Sequence, residues 1–285
     1  MTIRVVTDST CDLDPADIER LGIAVVPLNI HFGAQVYRDG LDIGKQEFYE
    51  RLQQSAVLPR TSQPSVSDFQ ATYEGLAGDA TTEAIVSVHI GGKLSGTINA
   101  AQTAARLMAE RDDPTPPVHV VDSDQASIGL GFAAMAAAEA VAEGADVDAV
   151  VAAAEGTARR SRVLLVVDTL EYLQKGGRIG RARAFLGTLL RTKPVLELAD
   201  GEIEGIERPR TRQKAVERLF QLTVRTPAPR RIGILHGTTP EEAEALAARV
   251  RGALPEVPVS VHRCSPVIGV HTGPAAIGAA IERMR

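Results

Sequence analysis

Small hydroxyl side chains stand at several points where the chain turns from a strand-like run into a helix-like one, and two of these points offer more than helix capping. In RTSQPSVSDF (60–69), Ser65 with Asp68 three residues on suits a cap for the helix that follows, which leaves Thr61 and Ser62 upstream available to a ligand. In GGKLSGTINAA (91–101), Ser95 falls where a strand ends and a helix begins. Its hydroxyl and the N–H groups that follow, those of Gly96 and Thr97 among them, make an anion seat favoured by the helix dipole. HTGPAAIG (271–278) reads as a third helix start, with Thr272 as N-cap and Pro274 near the first helical position. His271 at its lip is placed to donate to an anion or to order neighbouring hydroxyls.

Other chemistries fit less well. Lys93 beside paired glycines resembles a phosphate-binding P-loop, but that alignment puts Ser87 where the first glycine belongs and Leu94 where the metal-binding hydroxyl belongs. There is no G-x-S-x-G elbow, no HExxH and no CxxC, and GLGFAA (129–134) falls inside a predicted helix where no tight phosphate turn forms. Polar residues do close several predicted strands: Thr7-Asp8-Ser9-Thr10, Asp122-Ser123, Asp168-Thr169 and Gly237-Thr238-Thr239. Such strand ends line the ligand crevice of an open α/β sheet, and they serve equally as helix caps. A rival enzymatic reading gathers Asp8, Asp122, His236 and His271 around a metal, for a small-molecule phosphotransferase or a metal-dependent hydrolase; their spacing is not diagnostic.

The elements that must position these residues are α/β. The chain has 285 residues, 44% of them apolar but only 4% aromatic, with no Trp, so aliphatic side chains fill the interior. A net charge of -5 argues against a nucleic-acid partner. Two cysteines, Cys11 and Cys264, far apart in sequence, suggest neither a disulfide framework nor a zinc site. No secretory h-region and no bilayer-length apolar stretch is seen, so a cytoplasmic location without stable membrane insertion is expected.

Strand-like runs at 3–7, 24–32, 84–89, 118–121, 163–167, 231–236 and 257–262 alternate with Ala- and Leu-rich helical stretches, including 94–110 and 126–143. That alternation predicts a mainly parallel sheet in an N-terminal domain, residues 1–155. A C-terminal α/β domain, residues 156–285, is expected to hold a mixed sheet, because Asp200-Gly201 between two alternating runs in 195–212 is a strong hairpin signal.

Seven separated segments then agree, in order, with one family: VTDSTCDL (6–13), PRTSQPS (59–65), KLSGTINAA (93–101), TLEYLQKGGRIG (169–180), KPVLEL (193–198), RPRTRQKA (208–215) and VIGVHTGPAAIG (267–278). Over nearly its whole length the chain resembles the DegV family of bacterial fatty-acid-binding proteins. The resemblance implies a two-domain α/β fold and a buried long-chain fatty acid such as palmitate, with no cofactor and no chemistry of its own. It also implies that the carboxylate is held by the residues at the positions of Thr61 and Ser95. Ser62, Gly96, Thr97 and His271 are secondary candidates near the head group.

Some members of the family present their acid to a kinase related to dihydroxyacetone kinase, which forms an acyl-phosphate. Residues 156–214 hold 13 Lys/Arg against 7 Asp/Glu, a local +6 in a chain of net -5, so the remainder carries about -11. A basic face including Arg178, Arg181, Arg210 and Arg212 is therefore a candidate for docking an acidic partner. The chain departs from the family pattern at Gly91 and Gly92, where paired serines are common, and at Ala275, where glycine is usual.

Overall fold

β-branched runs and Ala-rich stretches alternate along the first half of the chain, and they fold as parallel strands joined by helical crossovers. The computed structural model describes residues 2–112, 115–187 and 192–284. Contacts divide the chain into two units. The first holds the chain up to Asn29 and Ser62–Arg159; the second holds Ile30–Thr61 and everything from Arg160 on.

In chain order the elements are β1 (Thr2–Asp8), α1 (Pro15–Leu21), β2 (Ile23–Val26), β3 (Asn29–Phe32), β4 (Gln35–Arg38), α2 (Lys45–Gln54), β5 (Arg60–Ser62), α3 (Val66–Ala77), β6 (Thr82–His89), α4 (Thr97–Ala109), β7 (Val118–Asp122), α5 (Ile128–Ala142) and α6 (Val147–Arg160). There follow β8 (Ser161–Val166), α7 (Glu171–Lys175), β9 (Val195–Ala199), β10 (Glu202–Glu207), α8 (Arg212–Val224), β11 (Pro229–His236), α9 (Pro240–Ala253), β12 (Val259–Arg263), α10 (Pro266–Thr272) and β13 (Ile277–Arg283). A cut at residue 155 falls within α6, close to the passage between units at Arg159–Arg160. The return of Ile30–Thr61 to the second unit has no counterpart in the sequence pattern.

The first unit is built on an all-parallel sheet, β2-β1-β6-β7. Phe69 and Tyr73 of α3 and Ala100, Ala101, Ala104 and Met108 of α4 pack with Val6, Val26 and Ile85. Alanine on α4 lets the helix lie close to the strands. α5, apolar on all sides, is buried along most of its length, as a helix without a polar face must be. The expected strand 24–32 is broken in two, because Pro27 has no N–H for a ladder and the Leu28 N–H donates to Ser9 Oγ (3.1 Å).

The second unit is built on a mixed six-stranded sheet, β10-β9-β8-β13-β11-β12, with a three-stranded sheet β4-β3-β5 beside α2 in sequence. Period-two alternation decides its faces. Leu164 and Val166 turn toward α8 and α9, where Leu219, Leu246 and Val250 meet them, while Leu165 and Val167 turn toward Leu170, Leu173 and Ile179. The expected hairpin is present as β9 and β10, paired antiparallel.

HTGPAAIG does not start a helix. α10 ends at Thr272, Gly273 adopts φ +80°, and Ile277–Arg283 forms β13 in the middle of the sheet, antiparallel to both β8 and β11. Small residues here mimic a helix in sequence. They are needed because a side chain at Gly278 would meet the Leu164 carbonyl oxygen at 2.6 Å.

Asp200 (φ 49°) and Gly201 (φ 72°) both lie in the left-handed region that a two-residue hairpin turn demands. Gly201→Ala is expected to destabilise the protein by about 1 kcal/mol. The check is a lower urea midpoint at an unchanged slope of free energy against urea.

Candidate functional site

In the second unit, Thr61 lies in β5, and its Oγ1 is 2.8 Å from His271 Nε2, in the last turn of α10. The elements that bring them together are fixed by two close approaches. Gly269 admits Phe48 and Tyr49 of α2 against α10, since a Cβ there would lie 2.7 Å from the Phe48 ring and from the Tyr49 hydroxyl. Gly176, just after α7, admits the imidazole itself, since its Cβ would lie 2.3 Å from His271 Nδ1. Tyr49 OH also reaches the Cys264 carbonyl (3.3 Å), tying α2 to the segment that leads into α10.

Thr61 and His271 form part of the wall of a cavity of about 560 Å³, whose other residues include Pro59, Tyr172, Arg178 and Val270. The wall is mixed in character. Val57 and Leu58 supply apolar surface, while Arg60, Lys175 and Arg178 supply positive charge. Lys175 is paired with Glu171 (2.5 Å), and Arg178 Nη1 donates to the Gly176 carbonyl (2.8 Å).

Burial, and after it the positive charge of Arg178, push the His271 imidazole down to about 4. The ring is therefore neutral near pH 7 and carries one N–H. Nδ1 has no hydrogen-bond partner among the described residues, and a buried N–H without an acceptor is the costlier orphan. This assigns the proton to Nε2, which donates to Thr61 Oγ1. The Thr61 hydroxyl proton is then left to point elsewhere, as a donor.

In the first unit, Ser95 sits in the loop between β6 and α4, one residue before the Gly96 N-cap. Its Oγ accepts from the Thr97 N–H (3.3 Å) and lies 2.8 Å from Thr97 Oγ1. Thr97 is fully buried and Ser95 is partly exposed. Either hydroxyl of this pair can be the donor; when Thr97 donates, the Ser95 proton is left for a ligand, at the start of a helix of 13 residues. Gly96 admits Gln63, whose side-chain atoms would lie 3.0–3.2 Å from a Cβ there. Ser62 continues β5, and Ser65 caps α3 in a complete capping box with Asp68, as expected.

The residues of the rival enzymatic reading have other duties. Asp8 is fully buried, with hydrogen bonds from Thr10, His89 and Ile90. Asp122 accepts from the N–H groups of Gly92 and Asp124. Burial, then Arg263, lower the pKa of His236. Among the described residues no three His, Cys, Asp or Glu side chains come together to hold a metal.

Of the expected basic face, Arg212 is forked onto Glu242 and Asp168 and donates to the Ala275 carbonyl, while Arg181 is held by Glu202 and Glu204. Arg210 is exposed on the wall of a second cavity, of about 540 Å³. Sequence reasoning missed Tyr172 and Gly176 as parts of the Thr61 cavity. Both lie in TLEYLQKGGRIG, and the paired glycines were the available signal, because a helix end that must admit a ring calls for them.

The depressed His271 pKa has a stability consequence. Between about 4 and the ordinary 6.5, the unfolded chain binds a proton at this residue that the folded protein does not, so stability rises with pH across that window and falls as pH drops through it. The full shift amounts to about 3 kcal/mol. His271→Gln is expected to flatten the dependence of thermal midpoint on pH between 6.5 and 4, as read by calorimetry.

The family model described as "Uncharacterised protein, DegV family" matches residues 2–284. A DegV domain-containing protein of Streptomyces coelicolor is 39% identical over 283 residues, covering 98% of each chain. Among solved structures, a fatty-acid-binding DegV family protein of Thermus thermophilus superposes with a TM-score of 0.87 at 36% identity, covering 100% of both chains. A stearic-acid-binding protein of Eubacterium ventriosum superposes with a TM-score of 0.91 at 28% identity, covering 99% of this chain and 98% of that one. A match that runs from the first strand to the last, on the same α/β architecture, makes this chain a member of the DegV family.

Proposed function

We propose that the chain is a non-catalytic carrier of a long-chain fatty acid, in which the Thr61 and Ser95 hydroxyls each donate to the carboxylate and the tail is buried in an apolar tunnel. The observation that carries this reading is the neutral His271 seated on Thr61 in a cavity wall, which leaves a hydroxyl as a donor to an anion. Ser95 Oγ accepts from the Thr97 N–H at the start of α4, a place where the helix dipole favours an anion. The fatty acids bound by the Thermus and Eubacterium proteins support it.

The division of labour is physical. Burying roughly 14 methylenes of a tail is worth on the order of 11 kcal/mol before ordering costs. A carboxylate removed from water is costly unless donors replace the solvent. The tail supplies affinity, and the hydroxyls permit the head group to be buried with it.

The finer part of the reading is that the acid is presented to a fatty-acid kinase for acyl-phosphate formation, with Arg178 and Arg210 on the docking face. Arg212 and Arg181 are held by internal carboxylates and are poorer candidates.

Two experiments test the reading. Organic extraction of the purified protein followed by mass spectrometry is expected to release a long-chain acid. Thr61→Ala and Ser95→Ala are each expected to weaken palmitate binding about tenfold or more, since each removes a hydrogen bond to a charged group. A lipid-free protein that also refuses added acid sinks the proposal. For the partner, Arg210→Glu is expected to weaken binding of a fatty-acid kinase while leaving palmitate affinity unchanged; unchanged kinase binding removes Arg210 from the docking face.

A further inference from the structure

The loop that carries Ser95 has two glycines, Gly91 and Gly92, just where it leaves β6, and glycine gives a chain its greatest freedom. The hydroxyl at its far end nevertheless has to be held in one place if it is to meet a carboxylate. The loop's own side chains do not supply that restraint at positions 91 and 92. The restraint comes from behind, from the ends of the neighbouring strands.

Asp8 closes β1. Its Oδ1 accepts from the Thr10 N–H (3.1 Å) and the Thr10 hydroxyl; its Oδ2 accepts from His89 Nδ1 (3.0 Å) and the Ile90 N–H (3.0 Å). The carboxylate thus grips the last residue of β6 and the first residue after it. His89 is fixed in turn: Nε2 meets Ser87 Oγ (2.7 Å), which meets Tyr73 OH (2.8 Å), and the Phe69 ring stands edge-on to it at 5.0 Å. Asp8, His89 and Ser87 have the connectivity of a hydrolase triad. All three are fully buried and Ser87 is bonded to Tyr73 as well, so no substrate reaches the serine.

Asp122 closes β7 and takes the next stretch. Both its oxygens lie 3.1 Å from the Gly92 nitrogen. A Cβ at Gly92 would lie 2.7 Å from Asp122 Oδ2, so the missing side chain is what lets the carboxylate approach. Between these two anchors the Gly91 N–H donates to the Gln125 carbonyl (2.9 Å). The turn then closes on itself, with the Leu94 and Ser95 N–H groups donating to the Gly91 carbonyl (2.9 and 3.1 Å).

We propose that Asp8 and Asp122 are positioning residues for the Ser95 hydroxyl, holding the glycine-paired loop by its backbone so that Ser95 meets the ligand's head group. The inference rests on the fatty-acid reading above. It predicts an effect confined to the carboxylate end of the ligand. Loss of either anchor lets the loop move, which weakens donation by Ser95 and leaves the tail's burial as it was.

The test compares palmitate with hexadecanol, which has the same tail and no carboxylate, on the full chain and on Asp8→Asn and Asp122→Ala. Hydrogen exchange of residues 90–95 is measured alongside. The wild type is expected to prefer the acid; each variant is expected to lose about tenfold in acid affinity with hexadecanol unchanged, and to exchange faster in the loop. Equal loss of both ligands reports a merely structural role and overturns the inference, as does faster exchange with the acid preference intact. Asp122→Ala, at a more exposed position, keeps the test decisive if Asp8→Asn does not fold. A wild type that binds neither ligand instead sinks the fatty-acid reading itself, a different result from loss in the variants alone.

Discussion

The arrangement depends on a hydrogen bond whose direction is set by burial. An imidazole near its ordinary pKa would share the Thr61 oxygen in either sense, and near neutrality would often be charged. Burial removes the charged form of His271, and the lack of a partner for Nδ1 among the described residues assigns the proton to Nε2. The Thr61 hydroxyl then has one task left, to donate. In the proposed function, that donor is what His271 and the burial around it offer to a carboxylate.

Much of the second unit can be read as support for that ring. α10 is a short helix, and its position comes from α2 packed across Gly269 and from β13, which continues the chain directly into the centre of the six-stranded sheet. The Gly176 Cα lies where a larger residue would displace the imidazole. A rigid sheet on one side and glycine contacts on the other leave the ring little room to turn. Preorganisation of this kind suits a binding site, because the ordering is complete before the ligand arrives.

Sequence alternation was enough to place the strands of the parallel sheet, and Asp200-Gly201 was enough to place the hairpin, because each rests on a local rule: period-two burial in one case, left-handed dihedrals in the other. What failed was non-local. GPAAIGAAIE looks helical because alanine and glycine are small, but they are small to let β13 lie between two strands, a fact about neighbours more than a hundred residues away for β8. The break at Pro27 could be suspected from its missing N–H, whereas the second unit's claim on Ile30–Thr61 has no local signature. At the site, Ser65 with Asp68 announced a capping box, and Thr61 stood out by having no such role. The direction of its bond to His271 was invisible, since it depends on how deeply the imidazole is buried.

If the chain carries an acid as proposed, hydroxyls are a telling choice of donor. An arginine forked onto a carboxylate, as Arg212 is forked onto Glu242 here, forms a charge-assisted pair in which both ions have exchanged water for each other. Such a pair is hard to part without stranding a charge. Neutral donors satisfy a buried carboxylate with less Coulombic attraction, so the head group can be held and also surrendered. The positive charge of Arg60, Lys175 and Arg178 lies in the same cavity wall, where Lys175 is already paired and Arg178 already donates to backbone. Charge of that kind favours the approach of an anion over some distance, while the short-range bonds remain those of hydroxyl groups. In this reading affinity resides in the tail and reversibility in the head, and the neutrality of His271 keeps the two apart.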